Sequence, residues 1–217
     1  MNSEEVMMEI AEQTAVCTRC KLHYSRKKAV PGSGNPNASI MFIGEGPGFH
    51  ENQQGLPFVG AAGKFLDELL EIAKLSRDKV FITNVVKCRP PGNRDPQVEE
   101  LEACRPYLER QINVINPDMI VTLGRISMSY FVTNGKISSI HGKTFWSNGR
   151  MIVPMYHPAA ALHQPSLKDL VKQDFSRLPG LLKKAQGTRR SNPNLTTLSQ
   201  IEEDVDDDAS IEQLSLF

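Results

Sequence analysis

The sequence predicts an α/β protein, a three-layer α/β/α sandwich with a central four-stranded, mainly parallel sheet. Four short apolar runs, each typical of a buried strand, alternate along the chain with longer segments whose pattern is typical of helices. Strands that alternate with helices form a mainly parallel sheet that is covered on both faces. A chain of 217 residues, 40% of them hydrophobic, is long enough to bury one such core.

The elements follow from the apolar periodicity and from the positions of glycine and proline. The predicted strands cover residues 39–43, 80–88, 120–124 and 151–156, with a short hairpin arm at 142–146. The predicted helices cover residues 3–16, 64–74, 97–113, 125–132 and 167–185. Residues 27–37 and 89–96 are rich in glycine and proline and are therefore predicted to be loops.

Charge is distributed unevenly along the chain, although the net charge is zero. Seven of the 25 acidic residues lie after position 200, where there is no Lys or Arg, so residues 1–200 carry 25 basic against 18 acidic side chains, a charge of +7. A basic body is compatible with a polyanionic partner and also with an ordinary solvated surface. The composition predicts one folded domain at 1–185 and a disordered acidic tail at 186–217.

Cellular location is predicted from the absence of targeting signals. No run of about 18 apolar residues is present, so the sequence predicts no membrane-spanning helix. The acidic start of the chain lacks the apolar core of a signal peptide, and we therefore expect a cytoplasmic protein. Thiols stay reduced in that compartment, which argues against structural disulfides.

Four cysteines form a pattern that is typical of a metal site. Cys17 and Cys20 make a C-x-x-C pair, and Cys88 and Cys104 lie far along the chain. Four thiolates suit either tetrahedral zinc or an iron-sulfur cluster, and their spacing does not separate the two. Unrelated buried cysteines are the alternative. A shared metal would tie the N-terminal helix to the segment that follows the second strand.

A glycine-rich loop follows the first strand, at the edge where open parallel sheets bind ligands. It reads Gly44-Glu45-Gly46-Pro47-Gly48 and continues through Glu51 to Gly60. Glycines let the backbone approach a ligand closely, and the next helix directs unpaired N–H groups at an anion. A turn without chemistry is the alternative, but two carboxylates in one loop favour a functional site.

Four segments together resemble family 4 of the uracil-DNA glycosylases, over about residues 10–185. They are Gly44-Glu45-Gly46-Pro47-Gly48, Gly55-x-Pro57-Phe58-Val59-Gly60-x-Ala62-Gly63, Thr83-Asn84-Val85-Val86-Lys87-Cys88-Arg89-Pro90-Pro91 and Tyr156-His157-Pro158. The resemblance implies a [4Fe-4S] cluster on the four cysteines. It also implies a DNA repair enzyme that flips uracil out of DNA and hydrolyses its N-glycosidic bond, leaving an abasic site for base excision repair. We expect a monofunctional enzyme, because no Lys is placed by motif as a Schiff-base nucleophile, and we expect a monomer.

The resemblance assigns three side chains to the flipped base. Phe58 would stack on the uracil ring, and the amide of Asn84 would pair with uracil N3–H and O4. His157 would donate a hydrogen bond to O2 as negative charge builds on the departing base, and a neutral imidazole is sufficient for this role.

Two carboxylates and one glycine complete the implied pocket. Glu45 would orient the attacking water or stabilise the cationic sugar, and Glu51 would support the site beside uracil C5, where it would crowd a thymine methyl group. Gly46 is assigned to substrate binding, at the position where the family 1 enzymes carry an Asp.

DNA contacts are predicted at four further residues. Leu162 would enter the gap left by the flipped base, since apolar wedges are widely used for this purpose. Arg89, Arg94 and Arg125 are candidate phosphate contacts, which position a protein on DNA without reading sequence.

Two alternative functions stay open. His141 lies where a DNA-crosslinking branch of the superfamily carries a reactive His, so covalent trapping of the abasic sugar is one alternative. A non-catalytic iron-sulfur DNA-binding or clamp-associated module is the other.

The last residues of the sequence predict a protein partner. They resemble the peptide with which bacterial repair proteins dock on the sliding clamp. The residues predicted to bind the clamp are Gln213, Leu214, Leu216 and Phe217.

Overall fold

The structure is a computed structural model, and it describes residues 2–191, with side chains described for 2–189. The strands are β1 Ser33–Gly34, β2 Ile40–Gly44, β3 Phe81–Asn84, β4 Met119–Leu123, β5 Phe145–Ser147 and β6 Arg150–Met155. The helices are α1 Ser3–Val16, α2 Phe49–Gln54, α3 Ala61–Ile72, α4 Val98–Ile115, α5 Arg125–Ser129, α6 Ile137–Ile140, α7 Pro158–His163, α8 Lys168–Ser176 and α9 Leu178–Ser191.

The strands form one sheet in the order β1-β3-β2-β4-β6-β5. The four inner strands are parallel, and β1 and β5 pair antiparallel at the two edges. The predicted fold class is therefore confirmed, although the sheet has six strands and not four. The additional strands are the short segment Ser33–Gly34, whose glycine and proline neighbours indicated a loop, and the predicted hairpin arm.

Helices cover both faces of the sheet, which explains why the inner strands are apolar throughout. On one face, Phe42 and Ile82 pack in a cluster with residues of α3, α8 and α9. On the other, Met41 and Ile120 pack against residues of α4 and α5. Alternate residues of each strand point to opposite faces, so both sets must be apolar.

A third, smaller cluster joins α1 to α4 at the side of the sheet. Ile10 of α1 packs there with Leu22, Val86 and Tyr107. The four cysteines also belong to this cluster or pack against it.

The C-terminal segment differs from the predicted single helix at 167–185. Two helices, α8 and α9, are separated by Arg177, because Pro179 lacks the N–H that a continuous helix would need. Helix α9 continues to Ser191, beyond residue 185, and the Arg189 guanidinium donates to the carbonyl of Asn116 at 3.0 Å. The rest of the predicted tail, with the clamp-binding segment, lies outside the described residues. Within residues 2–191, every helix is too short or too polar to cross a bilayer.

Candidate active site

The predicted site residues lie at the carboxyl ends of neighbouring strands. Glu45 directly follows β2, Asn84 ends β3 and His157 comes two residues after β6. Phe58 reaches the same edge from the segment between α2 and α3. This edge is where open parallel sheets bind ligands.

The side chains of Asn84 and Phe58 meet at Gly44, and His157 packs against Phe58. A Cβ added at Gly44 would lie 2.4 Å from Asn84 Oδ1 and 2.7 Å from Cζ of Phe58. The rings of Phe58 and His157 stack, with centroids 5.5 Å apart and planes 27° from parallel. Residues that are far apart in the sequence therefore adjoin, and a side chain at Gly44 would collide with both Asn84 and Phe58.

Asn84 carries the least satisfied polar atom of this group. The residue is only 1% exposed, yet its Oδ1 has no hydrogen-bond partner among the described residues. An unpaired buried acceptor costs about 1–3 kcal/mol, so native proteins rarely retain one without a reason. A ligand that donates a hydrogen bond to Oδ1 would remove this cost.

Lys87 holds Asn84 in place, and sequence reasoning assigned it no role. It is 1% exposed, and its Nζ donates to Thr83 Oγ1 at 2.6 Å, to Gln111 Oε1 at 2.7 Å and to the backbone carbonyl of Asn84 at 2.8 Å. Burial lowers the pKa of Lys87 to about 7, while Cys104 acts in the opposite direction. A lysine within the apolar run 80–88 was the available signal, because buried lysines need partners.

Phe58 adopts a strained backbone conformation. Its φ is +52°, a left-handed value that is costly for a bulky residue and that often marks a functional site. Arg77 donates to its carbonyl at 2.5 Å and to that of Pro57 at 3.1 Å. A Cβ at Gly63 would lie 1.9 Å from the Phe58 carbonyl oxygen, so only glycine allows α3 to start this close.

Glu51 stabilises the segment that carries Phe58. It lies on α2, within a stretch that the sequence indicated as loop. Its Oε1 accepts hydrogen bonds from the backbone N–H groups of Val59 and Gly60, both at 2.9 Å. The carboxylate thus occupies two donors directly after Phe58.

His157 is neutral and has a defined tautomer. Its Nδ1 accepts the backbone N–H of Ala159 at 3.1 Å, which leaves the proton on Nε2. Burial lowers the pKa of His157 to about 4, although the nearby Glu51 carboxylate acts in the opposite direction. The ring therefore presents an N–H donor at neutral pH.

Glu45 and Gly46 are adjacent residues of the glycine-rich loop after β2. Burial raises the pKa of the Glu45 carboxyl, Asp95 raises it further and Arg125 opposes both. A Cβ at Gly46 would lie 2.8 Å from Cγ2 of Val86, so close packing against the segment after β3 requires this glycine.

The three predicted phosphate contacts differ in how far they are already paired. Arg94 makes two hydrogen bonds to the buried carboxylate of Glu100, at 2.7 and 2.9 Å. Arg125 pairs with Asp95 at 2.5 Å on the surface. Arg89 has no carboxylate partner within residues 2–189, and donates from Nε to the side chain of Asn93 at 2.8 Å.

Leu162 lies five residues after His157 along the chain, and His141 contacts Tyr156, the residue before His157. Leu162 is on α7, which begins directly after His157, and is 38% exposed. His141 Nδ1 lies 2.7 Å from Asp174 Oδ2, and its ring centroid is 4.9 Å from that of Tyr156. His141 is therefore held by a carboxylate next to the strand end that carries His157.

All four cysteines line one cavity between α1, the segment after β3, and α4. Within residues 2–189, no three Cys, His, Asp or Glu side chains are arranged to hold a single metal ion. Arg26 donates to Cys88 Sγ at 3.4 Å, and the backbone N–H of Lys87 donates to Cys104 Sγ at 3.3 Å. Burial raises the pKa of Cys104 to about 11.

Comparison with known proteins identifies the family of this chain. The family model for the uracil DNA glycosylase superfamily matches residues 31–178. The type-4 uracil-DNA glycosylase of Sulfurisphaera tokodaii is 49% identical over 180 residues, 78% of this chain and 82% of that protein. The corresponding protein of Saccharolobus solfataricus is 51% identical over 179 residues, 78% of this chain and 83% of that protein. That of Archaeoglobus fulgidus is 43% identical over 194 residues, 85% and 97% of the two chains. The chain therefore belongs to the uracil DNA glycosylase superfamily, as a relative of its type-4 members.

Proposed function

We propose that this protein excises uracil from DNA by hydrolysing the N-glycosidic bond, which leaves an abasic site for repair. The observation that carries the proposal is the unpaired, buried Oδ1 of Asn84, next to the ring of Phe58 and a neutral His157. A base with an N–H donor flanked by carbonyl acceptors matches this arrangement, and uracil is such a base.

Recognition depends on the amide of Asn84. Uracil N3–H donates to Oδ1, and the amide N–H₂ donates to O4. Cytosine carries an acceptor at N3, which would face Oδ1 and leave both atoms unpaired at a cost of about 1–3 kcal/mol each. Phe58 stacks on the base after it has left the duplex.

Bond cleavage depends on His157 and Glu45. The C1′–N1 bond breaks with its electron pair moving to N1, and the negative charge spreads to O2, where His157 Nε2–H donates a hydrogen bond. The oxygen of water bonds to C1′ while Glu45 accepts the proton of that water. The raised pKa of Glu45 makes it a better base than an exposed carboxylate.

The supporting residues act on the geometry of the pocket. Glu51 holds the backbone that follows Phe58 and lies close enough to His157 to affect its pKa. Gly46 admits the substrate by keeping the loop flat against the segment after β3. Lys87 fixes the backbone of Asn84.

We further propose that Cys17, Cys20, Cys88 and Cys104 hold a [4Fe-4S] cluster. The donor set supports it, because four thiolates are its usual ligands, and N–H donors to two of the sulfurs stabilise their anionic form. The cluster would join α1 to α4. Iron and acid-labile sulfide measured on purified protein, with visible absorption, separate this cluster from zinc.

DNA and partner contacts complete the proposal. Leu162 enters the gap left by the base, and Arg89, Arg94 and Arg125 face the backbone phosphates, with Arg94 the most constrained because of its pairing with Glu100. Residues 213–217 recruit the sliding clamp, and a pull-down with the tail deleted tests this. We propose a cytoplasmic monomer.

The experiment is uracil release from a labelled oligonucleotide by the holoprotein. Release by the wild type and its loss in Asn84→Ala are expected. No release by the wild type would instead indicate the non-catalytic module. A protein–DNA adduct that survives denaturant and disappears in His141→Ser would indicate covalent trapping.

A further inference from the structure

An exposed aromatic side chain lies beside the pocket, and the proposed mechanism does not use it. Phe49 is the first residue of α2 and follows the glycine-rich loop that carries Glu45. The side chain is 53% exposed. An exposed aromatic face is a surface on which a nucleobase can stack.

Arg89 orders this aromatic side chain. Its guanidinium carbon lies 5.4 Å from the centroid of the Phe49 ring, in a cation–π arrangement. The hydrogen bond from Arg89 Nε to Asn93 holds the guanidinium in this position. A flat ring next to a cation without a carboxylate partner in the described side chains is a combination that binds nucleobases and phosphates.

The position of the pair relative to the pocket indicates which nucleotide it would meet. Phe49 follows β2 and Arg89 follows β3, whereas Leu162 follows β6. In the sheet, β2 and β3 lie on one side of β4 and β6 lies on the other. Phe49 and Arg89 therefore follow the two strands that also position Glu45 and Asn84, whereas Leu162 follows the strand that positions His157.

We propose that Phe49 and Arg89 form a stacking site for the nucleobase adjacent to the flipped uracil on the same strand. This inference rests on the proposed function. Removing a base from the stack leaves its neighbour with one uncovered face, and Phe49 would cover that face while Arg89 contacts the phosphate between the two nucleotides. Stacking of this kind tolerates any base, because every base has a π face.

A purely structural role is the competing explanation. Phe49 also contacts His50 edge-to-face, with ring centroids 5.5 Å apart, and could serve only to start α2. That role would appear in the melting temperature and would affect every substrate equally. A stacking site would instead affect DNA affinity in a way that depends on the neighbouring base.

The first experiment is single-turnover uracil release with enzyme in excess, which gives a maximal rate and a half-saturating enzyme concentration. Phe49→Ala should raise the half-saturating concentration about 5- to 150-fold, since base–aromatic stacking contributes about 1–3 kcal/mol per base. The maximal rate and the melting temperature should change little, and Phe49→Trp should restore affinity. Met8→Ala removes a side chain of similar exposure, 56%, from α1 and should have no effect.

The second experiment removes the neighbouring base from the DNA. Single-stranded oligonucleotides with one uracil are prepared with a base-less nucleotide on the 5′ or on the 3′ side. The wild type should bind one of these two oligonucleotides as weakly as Phe49→Ala binds the intact oligonucleotide. On that same base-less oligonucleotide, Phe49→Ala should show no additional loss of affinity. Arg89→Gln should lower the slope of log affinity against log salt by about 0.7, the value for one phosphate contact on a single strand.

The outcomes separate this site from the proposed function. Normal uracil release by Phe49→Ala at an unchanged half-saturating concentration overturns the stacking site alone. The stacking site is also overturned if Phe49→Ala and the missing base weaken binding additively on both base-less substrates. A lower melting temperature of Phe49→Ala, with an equal loss of affinity for all substrates, overturns it as well. If the wild-type holoprotein releases no uracil, the proposed function and the stacking site both fail.

Discussion

Replacing Asn84 with Ala tests whether its unpaired acceptor serves a ligand or the fold. In the free protein, Oδ1 is buried without a hydrogen-bond partner in residues 2–189, at a cost of about 1–3 kcal/mol. Truncation removes that cost and leaves a small cavity in exchange. We therefore expect the free energy of unfolding of Asn84→Ala to remain within about 1 kcal/mol of the wild type.

Activity should change far more than stability. Without the amide, the N3–H and O4 groups of uracil remain buried and unpaired, at about 1–3 kcal/mol each. The sum is about 2–6 kcal/mol of lost transition-state stabilisation, or a decrease of about 30- to 25 000-fold in kcat/KM. The expected pattern is a large loss of activity in a variant of nearly unchanged stability.

Thr122 offers a matched control on β4. Its Oγ1 is also buried and unpaired among the described residues, and its neighbours Val121 and Leu123 belong to the cluster that contains Phe58. Thr122 therefore points to the opposite face of the sheet. Thr122→Val should leave uracil release unchanged within a few-fold and should not lower stability.

Two measurements decide whether the Asn84 acceptor serves a ligand or the fold: urea denaturation, and release of uracil from a labelled oligonucleotide. A loss of several kcal/mol of stability in Asn84→Ala would mean that the amide supports the fold, and the reasoning from the unpaired acceptor would be refuted. Release within threefold of the wild type would refute it equally.

Three further perturbations test other parts of the site. The pKa of His157 is about 4 in the folded protein, against 6.5 ordinarily. The contribution of the neutral ring to stability is therefore complete above pH 6.5 and is lost as the pH falls towards 4. Urea denaturation at pH 7 and at pH 5 should show that the wild type loses about 2 kcal/mol more stability between these two pH values than His157→Ala does. Gly44→Ala places a Cβ 2.4 Å from Asn84 Oδ1 and should lower the rate of uracil release at least about 100-fold. Gly180→Ala is the control and should release uracil normally, because its Cβ would meet nothing within 4 Å. A wild-type rate for Gly44→Ala would contradict the pocket geometry. Cys104→Ser should lose iron, visible absorption and several degrees of melting temperature, and retention of iron at the wild-type ratio would contradict the assigned ligand.

Much of the fold could be predicted from the sequence, because apolar periodicity and the positions of glycine and proline are properties of neighbouring residues. Apolar runs predicted all four inner strands, although β3 ends at Asn84 and not at residue 88, and most helix bounds agree within three residues. The edge strand Ser33–Gly34 was missed because two residues with glycine neighbours carry no strand signal, and its pairing with β3 depends on tertiary contacts. Helix α2 was missed because its six residues follow a glycine-rich turn.

The candidate site was only partly accessible, since its supporting contacts are between residues far apart in the chain. The sequence indicated Asn84 and His157 through family resemblance, but it did not indicate the buried ammonium of Lys87 or the hold of Arg77 on Phe58. Both depend on which carbonyl groups the fold leaves within reach of a long cationic side chain.

The sequence by itself determined the alternation of strands and helices, the four thiols and the glycine-rich loop, because these depend on neighbouring residues and on composition. Only the tertiary structure decided that Oδ1 of Asn84 has no hydrogen-bond partner within the part of the chain that the structure describes, that His157 carries its proton on Nε2, and that Phe49 is exposed beneath Arg89. Hydrogen-bond pairing and burial are properties of groups brought together across the whole chain, and no local pattern specifies them.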